Sequence, residues 1–335
     1  MRPSFHPRLI NDPFGDPGLF IPFLFQKRAL ILDLGDLQAL SAGDLLKISH
    51  AFISHAHMDH FIGFDRLLRH MLGRGIKLAL FGPAGFLNHV SGKLAGYAWN
   101  LVDSYNYPFI LQVTEVHTEH MTQLELRCGD RFVPQKEAQR HPFNGVLHEE
   151  PAFKVSAVIL DHKISCLGFC VEERFHINII KEGLKKLGLT PGPWLTKFKQ
   201  AVYARTDPAT LFEIRRPDHS VQNRYELGDL ASQIAIITPG QKITYITDVA
   251  YNDTNSAKII AFARNSDHLF IEAAFLEEDK AIGREKFHLT ARQAGELAAK
   301  AATRQFSIFH FSPRYMGQEN LLYQEARQAY RSWLE

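Results

Sequence analysis

Ala51-Phe52-Ile53-Ser54-His55-Ala56-His57-Met58-Asp59-His60 reads as a short apolar strand that ends in a cluster of metal-ligating side chains. Strand side chains alternate in direction, so His55 and His57 can point one way as the strand ends. Asp59 and His60, on the turn into the helical pattern that follows, then face a second point nearby. That is the geometry two adjacent cations need. In a chain with 17 histidines, this His-x-His-x-Asp-His pattern arises by chance roughly 0.002 times. The competing reading is a polar loop whose histidines cap the next helix.

Working outward, three further apolar strands end on ligand-type residues. Val155 to Leu160 runs into Asp161-His162, Ile243 to Thr247 ends at Asp248, and Phe309-His310-Phe311-Ser312 carries His310. Taken singly, His162 or Asp248 reads first as a surface turn residue or a satisfied core group. Together they complete an inventory. A two-cation site with ions about 3.5–4 Å apart needs about seven imidazole and carboxylate ligands, one carboxylate bridging. His55, His57, Asp59, His60, His162, Asp248 and His310 supply that number. With no thiolate among them, the cations keep open positions and lower the pKa of water, so the inventory predicts a hydrolase centre. The donor set suits Zn²⁺ and also accepts Mn²⁺ or Fe²⁺.

The rest of the sequence reads as alternating strands and helices. Strands are predicted over 29–34, 51–54, 77–81, 109–116, 121–127, 154–160 and 165–172, with helical patterns over 62–72 and 84–96. A hairpin is predicted for 233–238 and 242–247 around Pro239-Gly240. Strand 268–275, an Ala-rich helix 290–303, strand 306–311 and a closing helix 319–333 follow. The first 27 residues read as an irregular lead-in. At 335 residues, with 45% hydrophobic and 22% charged side chains, the composition is globular and excludes disordered, collagen-like and coiled-coil classes. The net charge of +2 gives no basic field over the whole chain, so any polyanion site must be local. The longest apolar run, Leu19 to Phe25, contains Pro22 and is too short to cross a bilayer. Cys128, Cys166 and Cys170 form no Cys-x-x-Cys pair and read as packed thiols in a reducing, cytoplasmic setting.

The motif at 55–60 and the order of the later ligands resemble the metallo-β-lactamase-fold hydrolases. The resemblance implies an α/β (α+β) fold, an αββα four-layer sandwich forming a single domain over 1–335. Asp33, in Leu32-Asp33-Leu34-Gly35, matches the family's aspartate beneath the metals; a turn or helix-cap role fits it as well. Within that superfamily the sequence is similar to the ribonuclease Z branch of tRNA 3′-processing endonucleases. The similarity lies in His310-Phe311-Ser312-Pro313-Arg314-Tyr315, in His288-Leu289-Thr290 before the Ala-rich helix, in Phe81-Gly82-Pro83-Ala84-Gly85, and in Leu187 to Trp194 with Lys197-Phe198-Lys199. The last resembles that branch's exosite and is expected as an arm inserted over 177–205. From Lys181 to Arg205 six basic residues stand against Glu182 alone, a local charge of +5.

The resemblance implies zinc-dependent phosphodiester hydrolysis that leaves a 3′-hydroxyl and a 5′-phosphate. His55, His57 and His162 would hold one ion and Asp59, His60 and His310 the other, with Asp248 bridging. Asp59 and His288 are the candidate catalytic residues, His288 acting near the leaving oxygen. Glu272 reads as a carboxylate that orients a ligand histidine, or as a cap or salt bridge. Arg314, Lys197, Lys199 and Trp194 read as substrate contacts. The arm also reads as a solvated basic helix packing its aromatics inward, and Arg314 as a structural partner of an acid. The implied partners are a tRNA precursor and a second copy of the chain in a homodimer, with no membrane. Two rivals remain: a hydrolase of the same fold acting on a small phosphodiester or ester, and a non-catalytic scaffold. Two departures from the branch stand out. Ile10-Asn11-Asp12-Pro13-Phe14-Gly15-Asp16-Pro17 stands where the branch has its Gly-Thr-Gly opening and Pro-Thr-x-x-Arg-Asn loop, and Ile246-Thr247-Asp248-Val249 where Ser-Gly-Asp-Thr is commoner.

Overall fold

The computed structural model describes residues 5–24, 26–215, 220–333 and 335. They form two compact units, one spanning Phe5–Leu147, Val155–Val171 and Lys242–Glu335, the other His148–Lys154 and Glu172–Gln241.

The larger unit is built on two mixed sheets. Eight strands from Arg8–Leu9 to Gln139–Pro142 lie side by side in chain order. Ala29–Leu32, Ile48–Phe52, Lys77–Pro83 and Ile110–Val116 run parallel at its centre. Ala29–Leu32 is buried at every position, the continuous apolar pattern of a strand covered on both faces. On the outer face Ala29, Ile31, Ala51 and Leu80 pack against Phe64, Leu67, Met71, Phe86 and Val90 of the helices Phe64–Met71 and Phe86–Ala95. The second sheet has the order Phe306–Phe309, His268–Glu272, Lys242–Ile246, Ser165–Glu173, Phe153–Asp161, Val146–Glu149. Ile246, Leu269, Ile271 and Ile308 form its outer face with Ile259, Leu297, Ala298 and Leu322. Helix Ala291–Lys300 lies close enough to Glu319–Ser332 that a Cβ at Gly295 would come within 2.2 Å of the Ala326 carbonyl oxygen.

The inner faces meet directly. The Phe52 and Phe169 rings are 5.9 Å apart, and the Leu167 N–H donates to the Ser54 carbonyl at 2.8 Å. Helix, sheet, sheet, helix is therefore the layer order expected from the sequence. Two expectations change. The lead-in is not wholly irregular, because Arg8–Leu9 and Leu19–Pro22 extend the first sheet. The hairpin around Pro239-Gly240 does not form. Ala235–Pro239 pairs with Phe175–Ile179, while Lys242–Ile246 pairs in parallel with His268–Glu272. Gly240 packs flat against residue 173, where a Cβ would meet the Glu173 carbonyl oxygen at 1.9 Å. The dipeptide is thus a close backbone approach, which glycine alone permits.

The smaller unit has its own core of Ile177, Leu184, Trp194, Phe198, Ile214, Leu230 and Ile234. It carries the helices Lys181–Lys186, Trp194–Tyr203 and Leu227–Ile234 and the ribbon Leu211–Arg215 with Val221–Glu226. The segment 177–205 lies wholly inside this unit, which continues to Gln241. Cys128, Cys166 and Cys170 are all buried. Among the described residues no helix is long and apolar enough to cross a membrane.

Candidate metal centre

Every predicted ligand sits just beyond the carboxyl end of a strand, where α/β sheets leave their crevice. Ile48–Phe52 delivers the motif, and His57 takes the N-cap position of the helix Met58–Phe61, which carries Asp59 and His60. Phe153–Asp161 delivers His162, Lys242–Ile246 delivers Asp248, and Phe306–Phe309 delivers His310. Asp33 and His310 have left-handed φ values of 61° and 63°. Strain of this kind, about 1–3 kcal/mol per residue, is typical of functional sites.

The seven side chains converge. His55, His57, His162 and Asp248 form one group, and Asp59, His60 and His310 another, with one ligand atom from each residue within 4.8 Å of the others in its group. Asp248 divides its two oxygens between them. Oδ2 is 3.6 Å from His55 Nε2 and 3.4 Å from His162 Nε2; Oδ1 is 3.4 Å from His60 Nε2 and 3.1 Å from His310 Nε2. Asp59 Oδ2 lies 3.4 Å from His60 Nε2 and 3.6 Å from His310 Nε2. A tetrahedral ion with ligands at 2.0–2.2 Å requires donor separations of about 3.3–3.6 Å. Among the described residues, the buried Nε2 atoms of His55 and His60 have no hydrogen-bond partner. Buried polar atoms left unpaired are costly, and two facing the same carboxylate fit cations as the missing partners.

Electrostatics agrees. Burial, reinforced by the neighbouring His60, pushes His55 down to about 2, leaving it neutral and able to donate a lone pair. Burial opposes charge on Asp248, but His310 and His60 override it and hold the carboxyl well below its usual range. His60 is likewise disfavoured by burial yet raised well above its ordinary value by Asp248 and Asp33. A cation at its Nε2 therefore competes with a proton, as ligand imidazoles generally require.

Around the ligands lies a layer of orienting groups. Asp33, fully buried, accepts from the Ser54 N–H at 2.7 Å, the Ser54 hydroxyl at 2.9 Å, His60 Nδ1 at 2.9 Å and the Tyr245 hydroxyl at 3.0 Å. His162 Nδ1 donates to the Phe287 carbonyl at 2.9 Å. Glu272 accepts from the Val249 N–H at 2.9 Å and from His288 Nδ1 at 3.0 Å, so it orients His288 together with the backbone beside Asp248. His288 also falls into a group with Asp248 and His310. It is disfavoured as a cation by burial, but Glu272 prevails and lifts it to about 9. Its position follows from Thr290, which closes a capping box with Gln293 at the start of Ala291–Lys300.

Arg314 pairs with Asp279 at 3.0 Å, the structural alternative for this arginine. Lys197, Lys199 and Trp194 belong to the smaller unit. Trp194, expected as a substrate contact, is instead buried, with its indole N–H donated to the Thr190 carbonyl at 3.0 Å. Its ring packs inward because the short helix has Phe198 one turn on, and both fill the same core. Lys197 is exposed; Lys199 is half-buried, and desolvation pulls its ammonium down, offset in part by Glu173. Ser54, Tyr245 and Asn255 escaped the sequence reading. Asn255 clamps the His162 and Asp248 loops by accepting from the Asp161 N–H and donating to the carbonyls of Asp161 and Ala250. An Asx N-cap pattern at Asn252 was the only local hint of that helix start.

A two-sheet sandwich with this His and Asp cage at its edge is the metallo-β-lactamase fold, and the site is that of a metal-dependent hydrolase. Residues 200–311 match the model for the beta-lactamase superfamily domain, a span holding Asp248, His288 and His310. In sequence the chain is similar to the ribonuclease Z of Deinococcus radiodurans, 29% identical over 289 residues, 85% of this chain and 83% of that protein. Two solved structures share the fold. The metallo-beta-lactamase fold protein YhfI from Bacillus subtilis aligns with a TM-score of 0.53 at 14% identity, covering 97% of this chain and 94% of that one. The short form of human tRNase Z aligns with a TM-score of 0.51 at 16% identity, covering 93% of each.

Proposed function

We propose that this chain is a metal-dependent endoribonuclease that removes 3′ trailers from tRNA precursors. One observation carries the reading: the chain is similar over most of its length to a ribonuclease Z, and six imidazole and carboxylate groups gather with Asp248 into two adjacent clusters. His55, His57 and His162 would hold one zinc ion, Asp59, His60 and His310 the second, and Asp248 would bridge. The chemistry such a pair would supply when bound is a water nucleophile near neutral pH and neutralisation of charge on a phosphodiester.

The chain's own groups do the rest. Hydrolysis at phosphorus breaks the bond to the 3′ oxygen, which leaves as a hydroxyl and so needs a proton. His288, held by Glu272 and charged at neutral pH, can donate one there from Nε2. Glu272 keeps Nδ1 engaged and the ring aimed toward Asp248 and His310. The exposed basic residues of the smaller unit, Lys181, Lys185, Lys186 and Lys197 among them, fit backbone phosphates of the folded part of the substrate. The reading carries with it a homodimer working in the cytoplasm.

The test is incubation of the purified chain with a 3′-extended tRNA precursor, with and without chelator. Cleavage just beyond the acceptor stem, leaving a 3′-hydroxyl, abolished by chelator and restored by zinc, is expected. Hydrolysis of small phosphodiesters with no cleavage of the precursor would contradict the proposal.

A further inference from the structure

The ligand histidines are not held alike. His60 Nδ1 touches the Asp33 carboxylate directly, at 2.9 Å, and His162 Nδ1 touches a backbone carbonyl. His55 Nδ1 reaches neither. Its neighbours are the Ser54 hydroxyl at 3.1 Å and the Cys166 sulfur at 3.8 Å. Ser54 itself is fully buried and sits 2.9 Å from Asp33 Oδ2.

Donor and acceptor accounting fixes the direction of these bonds. An ionised carboxylate only accepts, so the single hydroxyl proton of Ser54 goes to Asp33. The serine oxygen is then left as an acceptor; of the two ring nitrogens near it, His60 Nδ1 at 3.3 Å has its shorter bond to Asp33, and the N–H it accepts is that of His55 Nδ1 at 3.1 Å. This selects the tautomer whose Nε2 lone pair faces Asp248 and the first cation group. We infer that Ser54 is the positioning residue of the His55, His57 and His162 site, passing the orienting effect of Asp33 through one hydroxyl, so that a single buried carboxylate supports both cation sites. The inference rests on the proposed cation-binding role of these histidines and adds a residue and an asymmetry to it.

The asymmetry makes it testable. Without the hydroxyl, His55 Nδ1–H is left, among the described residues, with the Cys166 sulfur, a weak acceptor at 3.8 Å. The alternative tautomer, with its proton on Nε2 toward Asp248 Oδ2 at 3.6 Å, then competes, and that proton occupies the lone pair a cation needs. His60 Nδ1 loses a longer contact to the hydroxyl at 3.3 Å but keeps its direct 2.9 Å bond to Asp33. Replacing groups that orient metal ligands costs about 10–100-fold in affinity.

The experiment titrates zinc into metal-free wild type, Ser54→Ala, Ser54→Thr and Tyr245→Phe against a chromophoric chelator, and records the visible spectrum of each after loading with Co²⁺. Circular dichroism and Tm monitor folding. The expected result is two tight equivalents in wild type. In Ser54→Ala one equivalent stays tight and the other weakens about 10–100-fold, with the Co²⁺ bands of one site altered. Ser54→Thr, which keeps a hydroxyl, restores both. Tyr245→Phe removes a different bond to Asp33 and leaves the two affinities in their wild-type ratio. Equal weakening of both equivalents in Ser54→Ala, or wild-type affinities there, would overturn the inference while leaving the proposed function intact. A wild type that binds no cation would sink the proposed function itself.

Discussion

Glu272 holds His288 from below: its buried carboxylate accepts from His288 Nδ1 at 3.0 Å, and the pairing lifts the imidazole to about 9 against the opposing effect of burial. Because the value is raised, the charged form persists at neutral pH and is lost as pH climbs through it. His288→Ala is expected to lower kcat on a tRNA precursor by about 10²–10⁴-fold with zinc content unchanged. Glu272→Gln removes the charge that raises His288, so the alkaline fall of kcat should move to lower pH. A pH-rate profile for each variant checks this, and an alkaline limb that stays in place speaks against His288 as the proton donor.

His60 is fully buried, with Asp33 on Nδ1 and Asp248 and Asp59 facing Nε2. His60→Ala should release most of the bound metal and abolish nearly all cleavage. Metal analysis together with single-turnover assays reads both, and an unchanged rate would defeat the assignment.

The two arm lysines should differ. Lys197 is exposed and Lys199 half-buried, so Lys197→Gln is expected to reduce the slope of log affinity against log salt by about one, and Lys199→Gln by less. Neither should change hydrolysis of bis(p-nitrophenyl) phosphate. Trp194→Ala, by contrast, should act through stability, since truncating a buried Trp costs about 3–5 kcal/mol. Equal loss on both substrates in Lys197→Gln would count against a phosphate-gripping role.

Much of the site was legible because its chemistry is local. Four ligands lie within six residues, and His162, Asp248 and His310 each follow an apolar run that announces a strand. What stayed hidden depends on distance in the chain. Tyr245 meets Asp33 across 212 positions and His162 meets Phe287 across 125, contacts that no spacing rule encodes. The parallel strands read well as apolar runs, whereas the hairpin at 233–247 failed because turn chemistry at Pro239-Gly240 resembles a close backbone approach. Trp194 showed the limit of composition: an aromatic beside lysines signals stacking or core equally, and the core of the smaller unit decided it.

His268 supplies a stability test away from the site. Desolvation depresses it from 6.5 to about 4, and its Nε2 faces the Ser307 hydroxyl at 2.9 Å. The unfolded chain takes up this proton first as pH falls, so folding is weakened progressively from about pH 6.5 down to 4 and is unaffected above. His268→Gln should flatten that part of the stability profile measured by urea unfolding. A variant profile parallel to wild type would show that the group is not held neutral.

The central claim is a pair of cations joined by Asp248, and anomalous diffraction from zinc-loaded crystals tests it most directly. The account predicts two peaks about 3.5–4 Å apart, one beside His55, His57 and His162, the other beside Asp59, His60 and His310, with the Asp248 carboxylate between them. A single peak away from Asp248, or none at full zinc loading, would contradict it.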